Sequence, residues 1–312
     1  MAKVVAVVGS TGAQGGGLCR AILADPAGGF SCRAVTRDPS KEKAQALAAA
    51  GAEVVQADID DVESLKKAFA GAHAVFGVTN FWEHFSAAKE KQQAKNIADA
   101  AKAAGVKHVV WSTLEDTRQW MAPSDTRMPM LQDVYRVPHF DAKAEADAYF
   151  EGVPTTFLRA SFYWDNLYMF GLAPKKGDDG QYSWAFPLGT AKMAGISAED
   201  IGKCAYGVIK AGSQYIGKTI GITGENLTVD EMGDKLSKGL GIGPVKYNAV
   251  DANVYRSWGF PGADEMGNMF QVYRDFEGAF LANRSVETTR ALNPQLMNFD
   301  AWVQAYKSRI PT

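Results

Sequence analysis

The sequence predicts an α/β protein with a doubly wound parallel sheet and a smaller, interleaved C-terminal α/β lobe. Two observations support this prediction: short apolar segments alternate with helical patterns in the first part of the chain, and a glycine turn joins the first strand to the first helix. Such alternation indicates βαβ units, parallel strands and right-handed crossovers. With 312 residues, of which 46% are hydrophobic, the chain can bury a sizeable core, so a mainly disordered state is excluded.

The first strand is predicted at residues 4–8, because an unbroken apolar run of this length is typical of a strand buried on both faces. A helix follows over residues 16–24. Further short apolar runs predict strands at residues 32–35, 54–56, 74–78 and 109–111. The intervening helices are predicted at residues 42–50, 62–69 and 86–104, and Gly105 ends the last of them.

The turn after the first strand carries the pattern G-x-x-G-x-x-G, with Gly9, Gly12 and Gly15 at its three glycine positions. Glycines permit a tight turn and bring the backbone close to a pyrophosphate, whose charge is stabilised by the free amides of a helix N-terminus. The pattern lies between a strand and a helix, which is the context that this motif requires. We therefore predict a Rossmann-type dinucleotide site, rather than a turn that serves packing alone.

The end of the second strand indicates which dinucleotide binds. NAD enzymes place Asp or Glu there on the ribose hydroxyls, whereas this chain has Arg37, followed by Lys41 and Lys43. A guanidinium offers forked donors to a 2′-phosphate, so the predicted cofactor is NADP(H). The alternative is that these cations only solvate the start of a helix, and the neighbouring Asp38 favours that alternative. Asp58, after the third strand, is a candidate for the adenine edge or an ordinary loop aspartate.

The regular alternation ends after the fifth strand, where residues 114–138 form a long polar connection with several prolines. A helix is predicted at residues 140–150 and a strand at residues 155–159. Beyond them the chain is rich in aromatic residues and glycine. Two further helices begin at Ser197 and Thr228, each followed three residues later by an acidic residue as in a capping box, and a strand is predicted between them at residues 219–223. We predict a nucleotide-binding domain over residues 1–155 and a second lobe over residues 156–312.

Composition and charge exclude several classes of function. A formal net charge of -2, with both signs interspersed, leaves no basic face for nucleic acid. The 3 cysteines and 4 histidines are scattered, so neither a disulfide framework nor a metal site is expected. No segment approaches the roughly 18 apolar residues of a membrane span. We expect a cytoplasmic protein with no membrane and no direct nucleic-acid partner.

Several segments spread over nearly the whole chain form a recognisable set. They are the glycine turn, Val35-Thr-Arg37, Gly51-Ala-Glu-Val-Val-Gln56, Val78-Thr-Asn-Phe-Trp-Glu83, Phe140-Asp-Ala-Lys143, Tyr163-Trp-Asp-Asn166, Ser197-Ala-Glu-Asp-Ile-Gly202 and Gly259-Phe-Pro-Gly262. In these segments the chain resembles the NmrA-like family, atypical members of the short-chain dehydrogenase/reductase superfamily, and looks most like the redox-sensor branch. The resemblance implies NADP(H) binding and a response to cofactor redox state through a regulatory protein partner. A homodimer is compatible with it.

The resemblance also implies a role for individual residues. It places Gly9, Thr11, Gly12, Ala13 and Gln14 at the pyrophosphate, with Gly15 in the same turn, and Arg37 and Lys41 at the 2′-phosphate. Asp58 would lie near the adenine, and Asn80, Phe81 and Lys143 would lie by the nicotinamide and its ribose. Tyr163 and Asn166 would close over the nicotinamide end, and Lys91, on the helix after the Phe-Trp-Glu segment, is a further candidate.

The prediction for catalysis depends on the residue that replaces the usual tyrosine. Ordinary short-chain reductases use a Ser and a Tyr-x-x-x-Lys pair, whereas here Ser112 and Lys143 are present and His139 stands at the tyrosine position. Proton transfer contributes roughly 10²–10⁴-fold in rate, so we predict a redox sensor with little ordinary dehydrogenase activity. The alternative is an NADPH-dependent reductase of a small carbonyl, quinone or imine in which His139 donates the proton. A purely local role for His139, or donation by Tyr135 or Tyr163, also stays open.

Overall fold

The computed structural model describes residues 2–312. Its strands, in chain order, are β1 Lys3–Val7, β2 Phe30–Thr36, β3 Glu53–Gln56, β4 Ala74–Gly77, β5 His108–Thr113, β6 Thr155–Arg159, β7 Phe162–Tyr163, β8 Lys175–Lys176, β9 Tyr182–Phe186, β10 Met193–Ile196, β11 Thr219–Gly221, β12 Glu225–Leu227 and β13 Val245–Ala249.

The α-helices are α1 Ala13–Leu23, α2 Glu42–Ala49, α3 Val62–Phe69, α4 Ala87–Ala104, α5 Pro138–Ala146, α6 Asn166–Met169, α7 Ala198–Lys210, α8 Val229–Leu240, α9 Ala252–Ser257, α10 Ala263–Asp275, α11 Glu277–Ala282, α12 Val286–Leu292 and α13 Phe299–Tyr306. Short 3-10 helices occur at Phe81–Glu83, Thr117–Trp120, Asp147–Phe150, Gly212–Tyr215 and Lys307–Arg309. Within residues 2–312 no helix has both the length and the apolar character needed to cross a bilayer.

The main sheet has seven strands in the order β11-β6-β5-β4-β1-β2-β3, and all its neighbours pair in parallel. This confirms the predicted doubly wound parallel sheet. The strand order reverses at β1, which pairs with β2 on one side and β4 on the other. In such sheets ligands bind outside the carboxyl ends of the strands at this switch point. The β1–α1 glycine turn therefore lies where a ligand is expected.

Helices cover both faces of the main sheet. Alternate residues of a strand point to opposite faces, so Val5 and Val7 pack with α1 and α7, while Ala6 packs with α3 and α4. The helices α1 and α7 approach closely because glycines face each other at their contact. A Cβ on Gly202 would lie 2.2 Å from the backbone N of Leu18. This contact holds the helix that begins at the glycine turn.

The chain after residue 155 supplies β6 and β11 to the main sheet and then forms two small sheets, β12-β10-β7 and β13-β9-β8. The core of this part is aromatic and includes Trp164, Phe270, Phe299 and Trp302, all buried. The loss of βα alternation after residue 160 is therefore confirmed. The division into two domains near residue 155 stays a prediction.

Most predicted elements are present, and most of their ends differ by no more than three residues. The helix predicted at residues 140–150 starts earlier, at Pro138, and its last turn is a 3-10 helix. The capping box at Thr228 is confirmed, because its side chain accepts from the Glu231 amide and Glu231 accepts from the Thr228 amide. The capping box predicted at Ser197 is wrong. There the carboxylate of Asp165 accepts from the Ala198 amide at 2.8 Å instead.

The long connection between β5 and α5 is held by one buried carboxylate. Asp141 Oδ1 accepts from the Thr117 amide at 2.7 Å and from its hydroxyl at 2.8 Å, and Oδ2 accepts from the amides of Arg136 and Val137. Burial raises the pKa of Asp141, and these donors oppose that rise. Both ends of the connection are thus tied to the first turn of α5, the helix that carries His139.

Candidate functional site

A cavity of about 610 Å³ opens at the carboxyl edge of the main sheet. Its wall includes the loops that follow β1, β2, β4 and β5, the start of α1, part of α5 and residues of α10. The structure brings most of the sequence-predicted residues to this one cavity. Those lining it are Gly9, Thr11, Gly12, Ala13, Gln14, Gly15, Arg37, Asn80, Phe81, Ser112, His139, Lys143, Tyr163 and Asn166.

Three predicted residues lie outside the cavity lining. Lys41 is exposed just before α2, and Asp58 accepts from the Asp60 amide at 2.9 Å in its own turn. Lys91 pairs with Glu145 at 2.8 Å, and the hydrogen bond that it donates to this carboxylate raises the pKa of the lysine. Contact of these three with a cofactor stays a prediction.

The glycine turn forms a close backbone cradle at the N-terminus of α1. Gly9 has φ +64°, a conformation that favours glycine. A Cβ on Gly15 would lie 2.4 Å from the Gly9 oxygen. Gly12 caps α1 without any side-chain hydrogen bond, which leaves the first amides of the helix to a ligand. Gln14 Oε1 is buried and has no protein partner in residues 2–312. The free amides and the available space fit a pyrophosphate, whereas the Gln14 oxygen is an acceptor and would need a hydroxyl or amide donor.

Arg37 follows β2 and is held by an acidic partner. Its two terminal nitrogens each donate to a different oxygen of Glu83 at 3.0 Å, in a bidentate pair. Both side chains are exposed, and exposed ion pairs contribute only about 0–1 kcal/mol. Asp38 does not take part, because its carboxylate accepts from the hydroxyl and amide of Ser40, which lower the pKa of Asp38. Arg37 is thus positioned at the cavity by a partner that a phosphate can displace.

Lys143 is buried and fully partnered. Its Nζ lies 2.9 Å from Glu90 Oε1 and donates to Thr79 Oγ1 at 2.6 Å. Burial on its own raises the pKa of Glu90, but Lys143, with hydrogen bonds from His84 and Thr79, outweighs it and lowers that pKa to about 2. Glu90 therefore stays ionised and compensates the ammonium of Lys143. The lysine can present its charge to the cavity without being an unpaired buried cation.

His139 is bound to a carboxylate on another helix. Glu265 Oε1, on α10, accepts from the backbone amide of His139 at 2.8 Å and also contacts its Nδ1. The imidazole packs against the rings of Trp82, Phe81 and Phe140, whose centroids lie 4.9, 5.9 and 4.8 Å away. A buried carboxylate on one ring nitrogen is the arrangement that fixes a histidine tautomer.

Tyr163 and Asn166 face the glycine turn from the other side of the cavity. Gln14 Nε2 donates to the Tyr163 hydroxyl, and burial raises the pKa of Tyr163 to about 12. The phenol therefore stays protonated at neutral pH. Asn166 Oδ1 is buried without a partner among residues 2–312, so an additional donor can be accommodated here.

The remainder of the cavity, which we call the apolar chamber, is lined by aromatic rings, methionines and other apolar side chains. These are Trp82, Phe85, Phe140, Phe162, Met169, Phe170, Leu172, Phe260, Pro261, Met266, Met269 and Tyr273. Phe85, Met169, Phe170 and Phe260 are also exposed to solvent. Because aromatic rings lie both at its rim and inside it, the chamber suits a flat apolar molecule.

The sequence profile of the NmrA-like family matches residues 1–303. The chain belongs to the NmrA-like family. Among relatives, the NmrA-like family domain-containing oxidoreductase lnbB of Aspergillus flavus is 27% identical over 316 residues, which cover 93% of this chain and 89% of that protein. The similarity to this NmrA-like relative thus extends through both the nucleotide-binding part and the aromatic part.

Two solved structures have the same fold as this NmrA-like chain. One is NmrA, a negative transcriptional regulator, in complex with NADP, with a TM-score of 0.77, 23% identity and coverage of 97% of this chain and 94% of that one. The other is the triphenylmethane reductase of Citrobacter sp. complexed with NADP(H), with a TM-score of 0.74, 22% identity and coverage of 97% and 99%. At these identities the similarity shows the fold alone.

Glu265 and Glu90 were not predicted from the sequence as residues of this site. Glu265 is 126 positions from His139, and no local pattern links the two residues. Glu90 lies in α4 among many other charged residues, so its burial could not be read from composition. The one available signal for Glu265 was the resemblance of the preceding segment, Gly259 to Gly262, to the family.

Proposed function

We propose that this NmrA-like chain is an NADP(H)-dependent reductase that acts on an apolar, aromatic acceptor. The observation that carries the proposal is the continuity of the cavity, which runs from the glycine turn to the apolar chamber and has Lys143 and His139 in its wall. The cavity thus favours a reductase over a redox sensor, whereas the sequence alone favoured the sensor. A protein that only senses a dinucleotide has no need of a second, apolar space beside it.

The cofactor end of the proposal rests on the glycine turn and Arg37. The open amides of α1 accommodate a pyrophosphate. Asp38, the acidic residue next to Arg37 in the sequence, is turned into its own loop, where its carboxylate accepts from Ser40. When the pair of Arg37 with Glu83 opens, the guanidinium can bind the 2′-phosphate in a forked arrangement. NADP(H) is therefore the cofactor that we propose.

The reacting end of the proposal rests on Lys143. NADPH, when bound, supplies a hydride. Lys143 would hold the nicotinamide ribose, and its charge is already compensated by Glu90. Ser112, buried on β5, lines the same part of the cavity. Tyr163, whose pKa is raised to about 12, remains a neutral hydrogen-bond donor there.

The acceptor end rests on the apolar chamber. Stacking on aromatic rings favours planar aromatic molecules, and methionine side chains adapt to irregular shapes. The name of the relative lnbB describes an oxidoreductase, and one structural neighbour is a reductase of triphenylmethane dyes. The first name supports a redox reaction, and the second supports a flat apolar acceptor, such as a quinone, an aromatic carbonyl or an imine.

A redox sensor is the second candidate, and one specific observation favours it. Glu83, which holds Arg37, belongs to the short helix Phe81–Glu83, and the ring of Trp82 in that helix packs against His139. A phosphate that takes Arg37 from Glu83 would thus release a segment with exposed aromatic neighbours, and a regulatory partner could respond to that change.

Turnover separates the two candidates. Calorimetry first establishes that NADPH binds, and NADPH oxidation is then followed with a naphthoquinone, an aromatic aldehyde, a cyclic imine and a triarylmethane dye. A reductase should turn over at least one acceptor at about 1 s⁻¹ or faster, and Lys143→Met should abolish this activity while the control Lys95→Met, on the exposed surface of α4, retains it. Tight NADPH binding without turnover of any acceptor would leave the sensor as the function.

A further inference from the structure

We propose that His139 donates the proton that completes the reduction and that Glu265 is the positioning residue that makes it a donor. This inference rests on the proposed reductase function. The sequence suggested His139 as one of several candidate donors, whereas the role of Glu265 follows from the contacts between α5 and α10.

The contacts of Glu265 define the state of the imidazole. Its Oε1 accepts from the backbone amide of His139 and faces Nδ1 of the same residue. A carboxylate accepts only, so the hydrogen of the imidazole lies on Nδ1. In a neutral imidazole Nε2 then carries the lone pair, and in the imidazolium it carries the transferable proton. When the imidazolium forms, its Nδ1–H stays hydrogen-bonded to the oppositely charged carboxylate of Glu265.

The second ring nitrogen is left without a protein partner in the described part of the chain. Nε2 makes no hydrogen bond within residues 2–312, and it is not one of the fully buried unpartnered atoms. His139 also lines the cavity. The rings of Phe81, Trp82 and Phe140 restrict the imidazole, so Nε2 keeps one orientation. The charged groups around it are Glu265 from α10 and Lys143 from the next turn of α5.

A carbonyl acceptor needs one hydride and one proton. The hydride that NADPH would supply would form a new C–H bond at the carbonyl carbon. The π-electron pair would then move to the oxygen, and that oxygen would take the proton from His139 Nε2. The N–H bond at Nε2 breaks, and the imidazole is left neutral with its Nδ1–H still directed at Glu265. Solvent then returns the proton. A triarylmethane dye cation differs, because the hydride alone converts it into the neutral product.

Two acceptors that differ in their need for a proton distinguish proton donation from a purely structural role of Glu265. Single-turnover rates with saturating NADPH are measured for an aromatic aldehyde, which needs hydride and proton, and for a triarylmethane dye cation, which needs hydride only. We expect Glu265→Gln to slow the aldehyde reaction by roughly 10²-fold or more and to change the dye reaction less than about twofold. The exposed Glu287→Gln, on α12, is the control and should change neither rate.

A second readout does not depend on turnover. With only 4 histidines in the chain, nitrogen NMR of labelled imidazoles can assign the His139 resonances by comparison with His139→Gln. We expect the Nδ1–H form in the unmodified protein and loss of that preference in Glu265→Gln. Glu265→Asp keeps the charge at a shorter reach, so it should retain part of the aldehyde rate.

The outcomes distinguish the inference from the proposed function. Equal losses for aldehyde and dye, or unchanged rates for both in Glu265→Gln, would overturn the inference while leaving a reductase. An unmodified protein that turns over other acceptors but not the aldehyde would overturn the proton donation alone. One that binds NADPH but turns over none of the four acceptors refutes the proposed function, and with it the proton donation. In that case an Nδ1–H form that depends on Glu265 would show a positioned histidine without a reaction, and a different tautomer would remove the positioning role as well.

Discussion

Arg37 illustrates how a single side chain at the cavity can be shared by two partners. In the structure its guanidinium is bound by Glu83 through two hydrogen bonds of 3.0 Å. A 2′-phosphate would need the same donors. The affinity for NADPH therefore includes the free energy needed to separate Arg37 from Glu83, and that term is absent for NADH.

Glu83→Gln should strengthen NADPH binding, because the amide no longer competes through a charge. Exposed ion pairs contribute about 0.2–1 kcal/mol, so we expect a gain of up to about fivefold with NADH affinity unchanged. Arg37→Asp should remove most of the preference for NADPH. Calorimetry with both cofactors measures these changes, and Glu63→Gln, whose partner Lys66 is far from the cavity lining, serves as the control. Equal affinity for NADPH and NADH in the unmodified protein would contradict the assignment of Arg37.

Lys143 also has a carboxylate partner, Glu90, but in this pair both side chains are buried. Glu90→Gln removes the negative charge 2.9 Å from Nζ and leaves a buried cation without compensation. Breaking one side of a buried pair costs about 3–5 kcal/mol, so the free energy of unfolding should fall by this amount in urea denaturation. The exposed Glu42→Gln, on α2, should change it by less than about 0.5 kcal/mol. A stability of Glu90→Gln equal to that of the unmodified protein would show that the pair is not formed.

At the scale of elements, α1 is positioned by α7 rather than by the sheet alone. Gly202 of α7 contacts the backbone of Gly17 and Leu18 without room for a side chain. Because α1 begins at the cofactor cradle, any shift at this contact moves the amides that we assign to the pyrophosphate.

Gly202→Ala should therefore lower both stability and NADPH affinity. Its new methyl group would lie 2.2 Å from the Leu18 amide nitrogen, and overpacking of this kind costs about 1–3 kcal/mol. Gly278→Ala, also in a helix but with no atom within 4 Å of the new methyl group, should leave the NADPH affinity unchanged and should not lower stability, since alanine is the better helix former. Thermal unfolding and calorimetry measure the two effects. Equal behaviour of the two variants would refute a tight α1–α7 contact.

The connection between β5 and α5 is expected to be ordered by the protein itself. Asp141 binds Thr117 at one end and Arg136 and Val137 at the other. In hydrogen exchange, residues 117–137 should have the same protection with and without NADPH, and Asp141→Asn should reduce it. The segments 81–85 and 163–170 border the cavity and should gain protection when NADPH binds. A cofactor-dependent change confined to residues 117–137 would favour the sensor instead.

For the whole molecule, the sequence was sufficient for the fold wherever local pattern and tertiary structure agree. Each of the first five strands contains a short apolar run, and β4 and β5 are buried along their whole length. The glycine turn has a fixed spacing between a strand and a helix, so it was also recognisable from the sequence. The helix start at Ser197 was predicted for the wrong reason, since Asp165 provides the cap. Glu90 and Glu265 could not be predicted as partners of Lys143 and His139, because burial and contacts across more than 50 residues leave no periodic signal.

In the function that we propose, one cavity brings a reduced nicotinamide and an acceptor together. Deuterium transfer tests it most directly. NADPH labelled with deuterium on one face or the other of the nicotinamide C4 is incubated with the protein and an acceptor that takes the hydride on carbon, namely an aromatic aldehyde, a cyclic imine or a triarylmethane dye cation, and the product is analysed by mass spectrometry. A fixed cavity predicts that deuterium appears in the product from only one of the two labelled cofactors. Absence of deuterium from the product with both cofactors, although NADPH binds, would contradict the claim that this chain is a reductase.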